Sequence, residues 1–270
     1  MTTVSIAFIG GGNMAQALIG GLVRSGRSAE SIGVADPGAA VRERVAADHG
    51  VRVMADNCAV VKGAEVVVLA VKPQVMSQVL EPLAAVLEPG ALVISVAAGV
   101  TLQQLQAGLG EQVRLIRAMP NTPALFAVGM TGMVAGSGVD DCDRLRAEGI
   151  LGCVGETVWL DREELMDVVT AISGSGPAYF FALAEQLALA GERAGLAPAI
   201  AAQLARQTAH GAGVMLARSD HSAGELRARV TSPGGTTQAA LETLHNGGFE
   251  RLVDAAVVAA ARRGRQLGEH

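Results

Sequence analysis

The chain has 270 residues, half of them apolar and only 17% charged, which excludes a disordered or collagen-like polymer. Acidic side chains outnumber basic ones, 26 to 21, and aromatic residues make up only 3%. The chain therefore lacks the basic stripe and stacking platforms that nucleic-acid binders use. Three scattered cysteines, Cys58, Cys142 and Cys153, allow at most one disulfide, and none of the five histidines shows metal-ligand spacing.

Residues 1–23 carry no charge. No basic residue precedes this apolar run, however, and Gly10-Gly11-Gly12-Asn13 interrupts it, unlike a secretory signal. The uncharged stretch from Val168 to Ala184 contains Gly174, Gly176 and Pro177 and falls short of the ~20 apolar residues a membrane span needs. A soluble, cytoplasmic chain is expected, with no membrane or nucleic-acid partner.

The first predicted element is a buried strand from Val4 to Ile9, ending in glycines. A helix from Met14 to Ser25 follows, then a strand from Ser31 to Ala35 and a helix from Ala39 to Asp48, closed by Gly50. Glu65 to Val71 is the strongest strand, and Pro73 opens a helix where its missing N–H costs little. Leu92–Val96 and Val113–Arg117 complete an alternating series, the pattern of a doubly wound sheet. Met130–Ala135 and Thr157–Leu160 are expected as edge strands.

Beyond Asp161 the pattern becomes helical: Glu163–Ile172, Pro177–Ala194, Pro198–Arg218, Thr236–Asn246 and Phe249–Gln266. The expected domains are therefore residues 1–160 and 161–270. Between Tyr179 and Ala190 only Glu185 and Gln186 are polar, so this helix is apolar on more than one face. Such helices belong in a large core or a subunit interface, and so small a helical half favours the interface.

Five segments carry candidate chemistry. Gly10 to Ala15 form a G-x-G-x-x-A turn between a strand and a helix, suited to a pyrophosphate at the helix N-terminus. Asp36 ends the second strand, either as an acceptor for an adenosine ribose or as the cap of the next helix. Lys72, one of only two lysines, follows the strongest strand at the sheet's carboxyl edge. Arg117 to Ala124 hold two prolines, with Asn121 and Thr122 as hydrogen-bonding groups; a rigid connector competes with a site there. Val230 to Thr237 read Val-Thr-Ser-Pro-Gly-Gly-Thr-Thr, a turn whose backbone N–H groups would converge on a small anion. A plain capping turn is the alternative.

Together these blocks resemble the pyrroline-5-carboxylate reductase family. They are Phe-Ile-Gly-Gly-Gly-Asn-Met-Ala (8–15), Ala-Val-Lys-Pro-Gln (70–74), Met-Pro-Asn-Thr-Pro (119–123), Gly-Ser-Gly-Pro-Ala-Tyr (174–179) and the block at 230–237. They appear in the family's order along nearly the whole chain. The resemblance implies an α/β fold, a Rossmann-type doubly wound sheet followed by an all-α dimerisation domain. It also implies reduction of 1-pyrroline-5-carboxylate to L-proline by NADPH or NADH in a homodimer, often built into a decamer. Gly10, Gly12, Asn13 and Met14 would then cradle the pyrophosphate. Asn57, Val71, Lys72 and Pro73 would line the cofactor cleft, with Ala97, Ala98 and Gly99 near the nicotinamide. Ser232, Gly234, Gly235, Thr236 and Thr237 would hold the substrate carboxylate, Thr237 would reach the ring nitrogen, and Asp220 would lie near the substrate. Asp36-Pro37 departs from NADPH-preferring members, which place a phosphate-friendly residue there.

The residues agree with imine reduction. Hydride adds readily to a protonated imine, so orientation and a hydrogen bond at nitrogen suffice. A hydroxyacid dehydrogenase of similar layout needs a helix-borne lysine as proton acceptor. No lysine follows Lys72. A non-catalytic dinucleotide-binding protein would have no use for the anion turn at 230–237.

Overall fold

The computed structural model describes residues 5–268; Val4, the expected start of the first strand, and His270 lie outside them. The chain divides into two compact units, one running to Gly174 and resuming at Ala260, the other spanning Ser175–Ala259.

The first unit contains β1 (Ile6–Ile9), α1 (Asn13–Arg24), β2 (Ile32–Ala35), α2 (Ala39–His49), β3 (Arg52–Met54), α3 (Asn57–Val60), β4 (Val66–Leu69), α4 (Met76–Ala84), β5 (Leu92–Ser95), α5 (Leu102–Leu109), β6 (Arg114–Met119), β7 (Gly129–Ala135), α6 (Asp141–Leu151), β8 (Gly155–Trp159) and α7 (Met166–Val169). Its sheet runs β3-β2-β1-β4-β5-β6-β7-β8 and is parallel except where β7 pairs with β6. The strand order reverses at the β1/β4 pair, which places a crevice at their carboxyl ends.

The central strands are apolar at every position because both faces are covered. Phe8, Val34, Val68 and Ile94 meet Leu18, Ile19 and Leu22 of α1 on one face. Ile9, Leu69 and Val93 meet Leu80 and Leu83 of α4 and Leu105 and Leu109 of α5 on the other. Truncating one of these large side chains to Ala would cost about 2–5 kcal/mol.

Several expectations need correction. The segment Met130–Ala135 is an interior strand, flanked by β6 and β8, so only β8 forms the edge there. The single helix expected over Glu163–Ile172 is broken into a 3₁₀ turn, the one-turn α7 and a π-turn over Thr170–Gly174. The Thr170 and Ser173 hydroxyls donate back to the Met166 and Val169 carbonyls, which opposes a regular helix. Strands end near residue 160 as expected, but the compact unit continues to Gly174 and takes the chain back from Ala260 onward.

The second unit holds α8 (Gly176–Arg193), α9 (Pro198–Arg218), α10 (Ala223–Arg229), α11 (Thr236–Asn246) and most of α12 (Phe249–Gly268). The α8–α9 hairpin is its tightest contact, with Gly191 set against Ala201. Of residues 175–259 only Gly176, Ala201, Ala205 and Gly248 are buried. Phe180 and Phe181 are 64% and 69% exposed, and Leu183, Leu187, Ile200 and Leu204 are exposed as well. A helical unit with so little interior needs another surface to cover it. Among the described residues, no helix is long and apolar enough to cross a membrane.

Light scattering at micromolar concentration should therefore find at least twice the chain mass of 27.4 kDa. The double substitution Phe180→Glu, Phe181→Glu should yield monomer or aggregate, since burying one Phe is worth about 1.5–3 kcal/mol. A stable wild-type monomer would contradict this account.

Candidate functional site

The carboxyl edge of the sheet is built from five loops. After β1 the chain turns at Gly10, whose φ is +97°; a Cβ there would stand 2.6 Å from the Ala70 carbonyl oxygen. Backbone bonds from Gly10 to Ala35 and from Ala70 to Ile9 knit this turn to β2 and β4. Gln16 fastens it further by donating to the Gly11 carbonyl at 2.7 Å. Gly12 caps α1 without a side-chain acceptor, and nothing lies within 4 Å of where its Cβ would be. The first N–H groups of α1, from Asn13 and Met14 onward, are thus left without a capping side chain, at the positive end of the helix dipole.

Asp36 has a structural task. Its Oδ2 accepts from the Gly11 N–H at 2.9 Å and its Oδ1 from the Gly38 N–H at 2.8 Å. The carboxylate therefore joins the glycine turn to the β2–α2 turn. The cap of α2 is Gly38, so the alternative that Asp36 caps this helix is not realised. Arg42 donates to the Asp36 and Pro37 carbonyls at 2.8 and 2.9 Å and steadies the same turn. Arg44 is exposed.

The other loops complete the edge. Asn57 opens α3 after β3, where Asp56 accepts from the Cys58 N–H at 2.9 Å. Val71 is half-buried, Lys72 is exposed without a carboxylate partner among the described residues, and Pro73 starts a 3₁₀ turn. Ala97 and Ala98 follow β5, and the buried Ser95 hydroxyl accepts from the Ala97 N–H at 3.4 Å. The structure thus gathers Gly10, Gly12, Asn13, Met14, Asp36, Asn57, Val71, Lys72, Pro73, Ala97 and Ala98 at one sheet edge.

The loop after β6 is a connector. Asn121 donates to the Ser173 carbonyl at 2.9 Å and accepts from the Met130 N–H at 2.9 Å, so its amide is spent on architecture. Arg117 is buried and pairs with Glu163 at 2.7 Å, while Glu163 also accepts from the Leu102 N–H at 2.8 Å. Burial pushes the nearby Asp167 carboxyl above its ordinary range, with Arg117 and Arg265 pulling it back.

The turn at 230–237 lies in the second unit. Gly234 has φ +69°. Its N–H donates to Gln238 Oε1 at 2.8 Å, and the Gly235 N–H donates to the Ser232 carbonyl at 3.0 Å. Two of the expected anion donors are therefore already engaged, which corrects the wider cradle read from Gly234 to Thr237. The N–H groups that stay open are those at the start of α11, from Thr236 onward, behind a glycine cap that offers no side chain. The Thr236 and Thr237 hydroxyls have no partner among the described residues. Ser232 and Thr236 are exposed and Thr237 is half-buried. Asp220 is exposed in the α9–α10 loop, and no hydrogen bond links it to this turn among the described residues. Gln238 was not anticipated, although its place three residues after the cap is where a capping side chain reaches back.

This arrangement offers one helix N-terminus at a sheet edge and another in a helical unit, both open to anions. Residues 163–267 match the family of pyrroline-5-carboxylate reductase dimerisation domains, and residues 5–99 match the coenzyme F420-dependent NADP oxidoreductase family. A pyrroline-5-carboxylate reductase of Pseudomonas aeruginosa is 46% identical over 269 residues, spanning 100% of this chain and 98% of that one. The chain belongs to the pyrroline-5-carboxylate reductase family. A solved member from Coxiella burnetii superimposes with a TM-score of 0.95 at 39% identity, covering 98% of this chain and 99% of that one. The Plasmodium falciparum pyrroline carboxylate reductase, solved with NADP bound, gives a TM-score of 0.84 at 28% identity and covers 99% of each chain.

Asp36 gives a test that needs no substrate. Asp36→Asn keeps the shape but sets an amide donor against one of two backbone N–H groups. Denaturant unfolding without cofactor should show a loss of about 1–3 kcal/mol. Unchanged stability would show that the two bonds contribute nothing to the turn.

Proposed function

We infer that the chain reduces 1-pyrroline-5-carboxylate to L-proline, with a nicotinamide nucleotide as hydride donor, in the last step of proline biosynthesis. The observation that carries this reading is the start of α11, where a glycine cap leaves N–H groups open beside the unclaimed hydroxyl of Thr237.

The sheet edge fits a dinucleotide. Gly10 brings the turn against Ala70 where a side chain would collide, and the space over Gly12 is clear. The α1 amides would hold the pyrophosphate, Asp36 and Asn57 the adenosine side, and Val71 to Pro73 with Ala97 and Ala98 the remainder of the cleft. When bound, the nucleotide supplies the hydride. The amides of Thr236 and Thr237 would hold the substrate carboxylate, with Asp220 near the substrate. Thr237 Oγ1 would hydrogen-bond the ring nitrogen and keep the C=N bond oriented, while the nitrogen's proton comes from solvent.

Further features complete the proposal. Asp36 carries its charge at the end of β2 with both oxygens already fixed, so a 2′-phosphate there would meet repulsion and NADH should be accepted. The uncovered apolar helices support a homodimer, and the resemblance extends this to a decamer. A cytoplasmic place agrees with three free cysteines.

Replacing Thr237 with Val deletes the hydroxyl and keeps the shape. A hydrogen bond to a charged group is worth about 1.5–3 kcal/mol, so kcat/KM for the imine should fall about tenfold to a hundredfold while NADH affinity stays unchanged. Near-normal kcat/KM would remove Thr237 from the reaction. Asp36→Ser should raise the NADPH to NADH preference, measured as the ratio of kcat/KM values. A wild type that ignores NADH would show that Asp36 does not face the ribose.

A further inference from the structure

We propose that the last turn of α12 clamps the loop carrying Ala97 and Ala98, and that Gln104 is the positioning residue that fastens it. This rests on the assignment of those two alanines to the cofactor cleft.

The contact is made by two backbones. Gly99, at φ +80°, directly follows the two alanines, and a Cβ on Gly268 would stand 2.6 Å from the Gly99 carbonyl oxygen. Only a residue without a side chain lets α12 approach so closely. Gln104 then bridges the pieces. Its Nε2 donates to the Gly268 carbonyl at 2.9 Å, while its Oε1 accepts from the Thr101 N–H at 2.9 Å in the capping box of α5.

The choice of glutamine is informative. Glu and Gln serve a capping box equally well, because both offer an acceptor. The boxes of α6 and α10 use Asp143 and Glu225. At α5 the same position must also give an N–H to Gly268, which a carboxylate cannot do. The same turn of α5 is gripped a second time by Glu163, which accepts from the Leu102 N–H and pairs with the buried Arg117. Gly264 sits against Asp167, where a Cβ would lie 3.0 Å from its Oδ1. Leu267 shares the wall of a groove of about 810 Å³ with Pro73, Gln74, Gly99 and Val100, so the helix end borders the loops after both β4 and β5.

The loop's backbone is therefore set by the C-terminal helix as well as by β5. Gln104→Glu is the decisive variant, since it keeps the capping acceptor and turns the bond to Gly268 into two oxygens set against each other. Its melting temperature should stay near the wild-type value. Its NADH dissociation constant, from fluorescence titration of the assembled protein, should rise about threefold to tenfold. The KM for 1-pyrroline-5-carboxylate at saturating NADH should not move. Gly268→Ala, which breaks the backbone approach instead, should weaken NADH in the same way.

Ala98→Leu separates the clamp from the assignment beneath it, because it should block NADH directly. If Ala98→Leu blocks NADH while Gln104→Glu and Gly268→Ala bind it as the wild type does, the clamp is overturned. If Ala98→Leu binds NADH normally, the cleft assignment falls and the proposal with it. Loss of melting temperature in Gln104→Glu with unchanged NADH affinity would reduce the contact to a structural one.

Discussion

Unpaired backbone N–H groups at helix starts are the constraint on which this molecule is arranged. A helix leaves its first amides without internal partners, and most proteins satisfy them with a capping side chain. Here α5, α6 and α10 do so with reciprocal capping boxes. The helices α1, α2 and α11 begin instead at Gly12, Gly38 and Gly235, which carry no capping side chain. Replacing a Ser or Asp cap by Gly costs only a few tenths of a kcal/mol, so holding such a position open for an anion is cheap. The surroundings stiffen the turns in compensation. Asp36 and Gln16 hold the glycine turn before α1, and Gln238 holds the one before α11.

The two units differ in what stabilises them. The sheet unit buries its strands on both faces and carries its own core. The helical unit exposes large side chains along α8, α9 and α12 and buries almost none. Its stability is inseparable from the surface that covers it, as in obligate oligomers.

The central strands were legible in the sequence because a strand buried on both faces must be apolar at every position, as Val66–Leu69 is. Three-residue β3 was missed: Arg52 is exposed and Val53 and Met54 are half-buried, so no periodicity betrays it. The break over 163–174 comes from hydroxyls bonding back to the preceding turn, which apolar spacing does not report. The glycine turn before α1 could be read from its strand–turn–helix context, and the one before α11 from its Pro-Gly-Gly-Thr-Thr run. How donors are shared within them could not, since Asp36 is 25 residues from Gly11. Gln238 and Gln104 show the same limit: their positions suggest capping, but only the folded chain shows which groups their second polar atoms meet.

The central claim is that the open amides of α11 hold the substrate's carboxylate. It is tested most directly by comparing 1-pyrroline-5-carboxylate with 1-pyrroline, the same imine without the carboxylate, in the wild type and in Gly235→Asp. An Asp cap would place its own carboxylate on the amides. The wild type should prefer the carboxylate-bearing imine in kcat/KM by about a hundredfold or more, the scale on which a site built for a polar group rejects an analogue lacking it. The variant should lose most of that preference. Equal preference in the two proteins would show that the carboxylate is held elsewhere.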